Sequence, residues 1–326
     1  FHAFAARLDE PACRYAILAG DVAQMACAFG DALAHYDQAR EIVPETPLAP
    51  PLLSQLYTQR GRTLELATRF EEAVANYSEM LALAGKRADP ALRLAALIAY
   101  GALLVMPTRV ADTEKGRQMI TEALAMAQTR GDAAVEAKAL WCIALLALRE
   151  GKGDDAVHYS EASLAISRQH NLAEQIAFAL NELRMGYGIQ GEFGKILANL
   201  EELRWRWQAL GNRPMLVEIL AHTANHHFWL GDFERAVPVG KEAYQLAIEI
   251  NNQWNIVPIC LGMASIYREQ GKISEALNAL AIVIDGEDVS GLGRVVGSVL
   301  LGHLYHDMGR LSDALAHYRR GLVDLD

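Results

Sequence analysis

Gly231-Asp232-Phe233-Glu234-Arg235-Ala236 is one occurrence of the pattern that organises this chain: a Gly, a polar residue, an apolar one, and an Ala five residues after the Gly. It returns as Gly271-Lys272-Ile273-Ser274-Glu275-Ala276 and as Gly309-Arg310-Leu311-Ser312-Asp313-Ala314. Upstream it stands as Gly151-Lys152-Gly153-Asp154-Asp155-Ala156 and as Gly191-Glu192-Phe193-Gly194-Lys195-Ile196. Successive leading glycines lie 40, 40, 40 and 38 residues apart, which marks an internal repeat. Weaker copies precede them. Phe29-Gly30-Asp31-Ala32 with Tyr36 and Ala39, and Phe70-Glu71-Glu72-Ala73 with Tyr77, keep an aromatic-x-x-Ala-x-x-x-Tyr spacing, and Ile120-Thr121-Glu122-Ala123 marks a further unit, making eight.

The period dictates the local structure of each unit. Leu216, Ile219, Leu220, Ala224 and Phe228 fall at helical spacing, and so do Phe233, Ala236, Val237, Ala243, Leu246, Ala247 and Ile250. Two amphipathic helices per repeat are therefore expected, joined by short loops that make them antiparallel neighbours. Gly231 supplies the left-handed residue that ends the first helix, Asp232 caps the second, and Gly211 with Pro214 marks the boundary before. The Ala five residues after each Gly is placed where two helices cross, with Tyr36, Tyr77 or Tyr318 filling the space beside it four residues later. A single pair cannot bury its apolar faces alone, so the units are expected to stack on one another.

This alternation resembles the tetratricopeptide repeat, with Tyr57, Gly61, Ala73 and Tyr77, and again Gly302, Ala314 and Tyr318, at the anchor positions. The period is longer than the ~34 residues usual for that family, and Gly-Asp or Gly-Asn, as at Gly131-Asp132 and Gly211-Asn212, replaces the Pro after the second helix. The resemblance implies an all-α, right-handed superhelix of about eight helix pairs. The long repeats with Gly-Asp between units look like the sensor arms of multidomain bacterial signalling ATPases, the maltose-operon activator type among them.

The 326 residues are 52% hydrophobic and 21% charged, with 25 Gly and 10 Pro, an ordinary globular composition. Length alone would suggest two domains at ~150 residues each. The repeat overrides that count and makes 1–326 a single solenoid. Because the chain begins Phe1-His2-Ala3-Phe4 and ends at Leu325-Asp326 within a repeat, it is expected to be part of a longer multidomain protein. Thirty Lys and Arg against 40 Asp and Glu give a net charge of -10, which opposes the phosphate neutralisation behind nucleic-acid affinity, so direct nucleic-acid binding is not expected. Cys13, Cys27, Cys142 and Cys260 form no C-x-x-C pair, pointing to a reducing, cytoplasmic setting without zinc or disulfides. The longest uncharged apolar run, Leu94 to Met106, is shorter than the ~20 residues of a membrane span.

Three irregular connections interrupt the array: Val43 to Pro51, Met106 to Lys115, and Asp285 to Gly293. Each either contacts a partner or absorbs an offset between helices. Gly291-Leu292-Gly293-Arg294-Val295-Val296-Gly297 follows an acidic turn rather than a strand and has its last Gly one residue late for a phosphate loop. Trp207 continues the stripe of Leu200 and Leu203 and is expected in the core, with Trp205 outside.

Glu218, His222 and His226 stand at i, i+4 and i+8, a row that can hold zinc but lacks the H-E-x-x-H base and a fourth ligand, so lining of the groove or interhelical hydrogen bonding is the stronger reading. No catalytic residues and no cofactor are expected. In the tetratricopeptide family the first helices of successive repeats line the groove, and carrying those positions over implies Trp141 and Leu145, then Asn181 and Met185, Asn225 and Phe228, Ser265 and Arg268, and His303. Amides, one cation and flexible apolar surface suit an extended peptide held by its main chain. The expected function is non-catalytic recognition of a protein, a peptide or a small-molecule inducer, by the sensor or docking arm of a larger bacterial signalling or transcriptional regulator. A free-standing scaffold and a metal-dependent enzyme built on His222 and His226 are the two rival readings.

Overall fold

A computed structural model describes residues 9–43, 49–284, 286 and 291–323. Among these residues it holds sixteen α-helices and no strand, most of them packed as antiparallel pairs of chain neighbours. In chain order they are α1 (Asp9–Met25) with α2 (Phe29–Ile42), α3 (Pro50–Leu66) with α4 (Phe70–Arg87), α5 (Pro90–Val105) with α6 (Thr113–Arg130), and α7 (Ala133–Arg149) with α8 (Gly153–Gln169). There follow α9 (Ala173–Gln190) and, beyond the next turn, α10 (Phe193–Ala209), then α11 (Arg213–Trp229) with α12 (Phe233–Glu249), α13 (Gln253–Glu269) with α14 (Ile273–Ile284), and α15 (Gly291–Asp307) with α16 (Leu311–Val323).

The turns explain the regularity. Positive φ occurs at Gly131, Gly151, Asn171, Gly191, Gly211, Gly231, Asn251 and Gly271, one left-handed residue every 20 positions, so that a helix of 17 or 18 residues and a short turn repeat along the middle of the chain. At seven of these eight ends the next amide reaches back five residues, as Asp232 N–H does to the His227 carbonyl at 2.9 Å, satisfying a carbonyl the helix leaves open. The residue after the turn then caps the following helix. Asp132, Asn212, Asp232 and Asn252 accept from the amides of Val135, Met215, Arg235 and Asn255. Asn171 and Asn251 do what glycine does elsewhere, Asn being the side chain that best tolerates this conformation.

Contacts divide the chain into two compact units, residues 1–190 and 191–326. In the first, α1, α3, α5, α7 and α9 lie side by side, each touching the next, and the second helices touch only first helices. In the other, α11, α13 and α15 form the same kind of layer with α12, α14 and α16 outside it. The small residues at the crossings are buried: Ala32, Ala73, Ala123, Ala156, Ala236 and Ala276 are inaccessible. Tyr36, Tyr77 and Tyr318 fill the space beside Gly20, Gly61 and Gly302 on the partner helix, where any side chain would overlap their rings. Trp207 is fully buried and Trp205 is 62% exposed.

Among the irregular connections, Val43–Pro51 and Asp285–Gly293 lie largely outside the described residues, as do the residues at the two chain ends. The Met106–Asp112 connection is described. Its Arg109 pairs with Glu71 at 2.6 Å and donates to the Thr68 carbonyl, while Asp112 caps α6. The loop thus ties the third pair back to the second. None of the described helices is long and apolar enough to cross a membrane; the Leu94 to Met106 run is spent on the core, with Leu94 to Val105 almost wholly buried.

Candidate functional site

The expected groove residues all fall on first helices, the layer in which neighbours touch. In the unit 1–190, Trp141 is only 8% exposed. Its ring lies 5.2 Å from that of Phe178, and its Nε1–H donates to Glu182 Oε1 at 3.3 Å, so it joins α7 to α9. Leu145, one turn further on, is half-buried against the same cluster. On α9, Asn181 is half-buried and accepts from Arg184 at 3.4 Å, and Met185 is 44% exposed.

In the unit 191–326, Asn225 of α11 leans on α13, where its Oδ1 occupies the space a side chain at Gly262 would need. Phe228 is half-buried with its ring 6.1 Å from Phe233. Ser265 Oγ donates to the Leu261 carbonyl of its own helix at 3.1 Å. Arg268 Nε donates to Asp307 Oδ2 at 2.5 Å, linking α13 to α15; that hydrogen bond outweighs the opposing effect of burial, holds the Asp307 carboxyl below its ordinary range and raises the Arg268 guanidinium. His303 is exposed and its Nδ1 shares a 3.0 Å hydrogen bond with the Tyr318 hydroxyl. Asn225, Ser265 and His303 occupy one register of three successive first helices, each at least partly accessible.

The zinc-like row is not one site. His222 Nε2 and Glu218 Oε1 stand 3.8 Å apart at the half-exposed surface, whereas His226 is buried with Nε2 3.1 Å from the Phe193 carbonyl of α10. His226 therefore makes an interhelical hydrogen bond. Among the described residues no three His, Cys, Asp or Glu side chains converge as metal ligands.

The helix positions counted for the groove pass over a cavity of about 300 Å³ on the other side of α13, bordered by Tyr244 of α12, Cys260, Met263 and Tyr267 of α13, and Ala279 and Ile282 of α14. A signal for it stands in the register. Four residues after the crossing position come Tyr36, Tyr77, Ala127, Ser160, Leu200, Gly240, Leu280 and Tyr318, and only Gly240 brings no side chain.

No protein-family model matches the chain, and no curated protein matches it. Solved structures do. A Rap protein complexed with competence and sporulation factor superposes with a TM-score of 0.62 at 12% identity, over 99% of this chain and 98% of that one. A signal transduction ATPase with numerous domains and a tetratricopeptide repeat sensor, from Pyrococcus horikoshii, gives 0.56 at 14% identity over 81% of this chain and 40% of that one. The fold is that of the tetratricopeptide-type helical repeat. The apo form of the quorum sensor NprR from B. thuringiensis, at 0.56 and 15% identity over 94% and 99% of the two chains, shares it. In tetratricopeptide-type terms the row Asn225, Ser265, His303 lies on the helices of the closely stacked layer.

Proposed function

We propose that the chain is a non-catalytic recognition module that holds an extended peptide or protein segment against its first helices, and that 1–326 works as the sensor or docking arm of a larger signalling or transcriptional regulator. The observation that carries this reading is the accessible row Asn225, Ser265 and His303 on α11, α13 and α15, with Phe228 and Arg268 one turn away. Polar side chains repeated at one register on successive stacked helices set hydrogen-bonding groups along a line, and an extended chain offers main-chain donors and acceptors along its whole length. The fold likeness to a Rap protein solved with a peptide signal and to an ATPase with a repeat sensor supports the same reading. In the unit 1–190 the same proposal gives Leu145, Asn181 and Met185 to a partner-facing surface of its own, with Trp141, whose ring joins α7 to α9, supporting it from behind.

The test is selection of binders from a random peptide library on the purified chain, followed by titration of the selected peptides against Asn225→Ala and Met185→Ala. Loss of at least tenfold in affinity with an unchanged melting temperature is expected. Peptides that bind both variants as well as the parent chain would remove the groove assignment.

A further inference from the structure

We infer that the cavity between α12, α13 and α14 is a second binding site, taking a small neutral aromatic molecule that carries a hydroxyl group. It goes beyond peptide recognition and uses the opposite side of α13: Ser265 and Arg268 lie towards the proposed groove, and Cys260, Met263 and Tyr267, at i, i+3 and i+7, line the cavity.

The cavity has a cause in the repeat. In three other pairs a glycine on the first helix is matched by a tyrosine on the second, Gly20 by Tyr36, Gly61 by Tyr77 and Gly302 by Tyr318. Between α11 and α12 both residues are small, and the second has no side chain at all. Ala224 and Gly240 border the same hollow, and the end of Met263 from the next first helix fills it, its sulfur lying where a side chain at Gly240 would be. A flexible, unbranched thioether is thus the wall between a small internal hollow and the open cavity, and it adapts to an occupant as a branched side chain does not. Pro238 in α12 and Pro258 in α13 remove one helix amide from each of two walls close to the same place.

The lining selects the ligand. Ile259, Cys260 and Met263 make a buried apolar floor, and sulfur on two of them favours an aromatic ring. Tyr36, Tyr57, Tyr77 and Tyr187 each donate to a carboxylate. The hydroxyls of Tyr244 and Tyr267 have no partner among the described residues, and burial raises both phenols, so each stays a protonated donor for an occupant's oxygen. Lys241 and Glu275 put opposite charges on the rim, which selects no ion. The volume of about 300 Å³ is roughly twice the ~150 Å³ that admits benzene, room for two fused rings.

The probe is 2-naphthol, titrated into the whole chain while the methionine methyl resonances are followed, with Met263 assigned by Met263→Leu. Saturable one-to-one binding that shifts the Met263 methyl is expected. Ala279→Phe, which fills the cavity from its rim, should weaken binding at least tenfold, and Tyr244→Phe with Tyr267→Phe should weaken 2-naphthol severalfold while leaving naphthalene unchanged. Should Ala279→Phe fail to fold, protection provides the second measurement: in a Cys27→Ser background, 2-naphthol should slow alkylation of Cys260 and leave Cys142 unaffected. Absence of saturable binding overturns the proposal, as does binding that moves neither the Met263 methyl nor the Cys260 rate. Uptake of a tyrosine-containing peptide in place of 2-naphthol overturns it too, by assigning the cavity to a side chain of the groove's partner.

Discussion

The ring of Tyr77 on α4 occupies the space that Gly61 on α3 leaves by having no side chain. Its hydroxyl is held by Glu65, one turn further along α3, at 2.6 Å. The ring is therefore fixed at both ends, and the two helices approach as closely as a glycine allows.

Gly61→Ala should destabilise the chain by about 1–3 kcal/mol, because the new methyl overlaps a buried ring that has nowhere to go. The better helix propensity of Ala returns up to ~1 kcal/mol, too little to reverse the sign. Gly85→Ala is the control: nothing lies within 4 Å of the added methyl, so stability should rise by up to ~1 kcal/mol. Urea unfolding followed by circular dichroism separates the two.

Gly231→Ala should cost about 1–2 kcal/mol, since φ of +74° is a left-handed conformation that a Cβ disfavours. Asn171→Gly, at an equivalent turn with φ of +55°, should be neutral or slightly stabilising. A cost at Asn171 as large as that at Gly231 would show that the Asn side chain, and not its backbone tolerance, holds that turn.

Asp232→Ala should cost about 0.5–2 kcal/mol by removing the acceptor for the Arg235 amide at the start of α12. Asp232→Asn keeps the acceptor and should retain most of the stability. Thermal unfolding of the two variants at one pH is sufficient to compare them.

The Arg268–Asp307 pair sets a pH signature. Hydrogen bonding to Arg268 lowers the Asp307 carboxyl from its ordinary 3.8, so its contribution is present above that value and is lost as pH falls through the lowered one. Arg268→Ala should therefore lower the melting temperature slightly at pH 7, and the difference from the parent chain should vanish on acidification below 3.8. The effect is small because both side chains are about a third exposed. A difference that stays constant to the acid limit would mean that Arg268 stabilises through its stem alone.

Fast thiol reactivity should be confined to one site, the buried thiols reacting far more slowly. Cys27 is exposed, whereas Cys13, Cys142 and Cys260 are buried, and burial pushes the thiols of Cys142 and Cys260 up to about 12. A maleimide at neutral pH should modify one cysteine of four within minutes, read by mass spectrometry. Cleavage mapping should place it at Cys27.

Much of this architecture is written in local pattern. A turn needs only its own few residues, so Gly131, Gly211 and Gly231 with the Asp or Asn after them are readable as a helix end and a cap, and the 40-residue period then counts the pairs. Burial of Ala236 and Trp207 follows from helical spacing for the same reason. Asn171 and Asn251 turn the chain as glycine does and escape a search for glycine, although the 20-residue spacing between turns contains them.

The site residues depend on more distant partners. Trp141 and Met185 both continue the stripe of a first helix, yet Phe178 and Glu182 of α9 cover the one and leave the other open. His226 shares a face with His222 in any helical projection, and it is the approach of α10, bringing the Phe193 carbonyl, that separates them. The cavity beside Gly240 likewise arises from Met263, more than a helix away, entering the space that a tyrosine fills in other pairs. Sequence by itself determined the helices, their turns and the repeat, because those interactions close within six residues. Tertiary structure alone decided which faces are covered and where space remains, because that depends on side chains brought together from helices 20 to 40 residues apart.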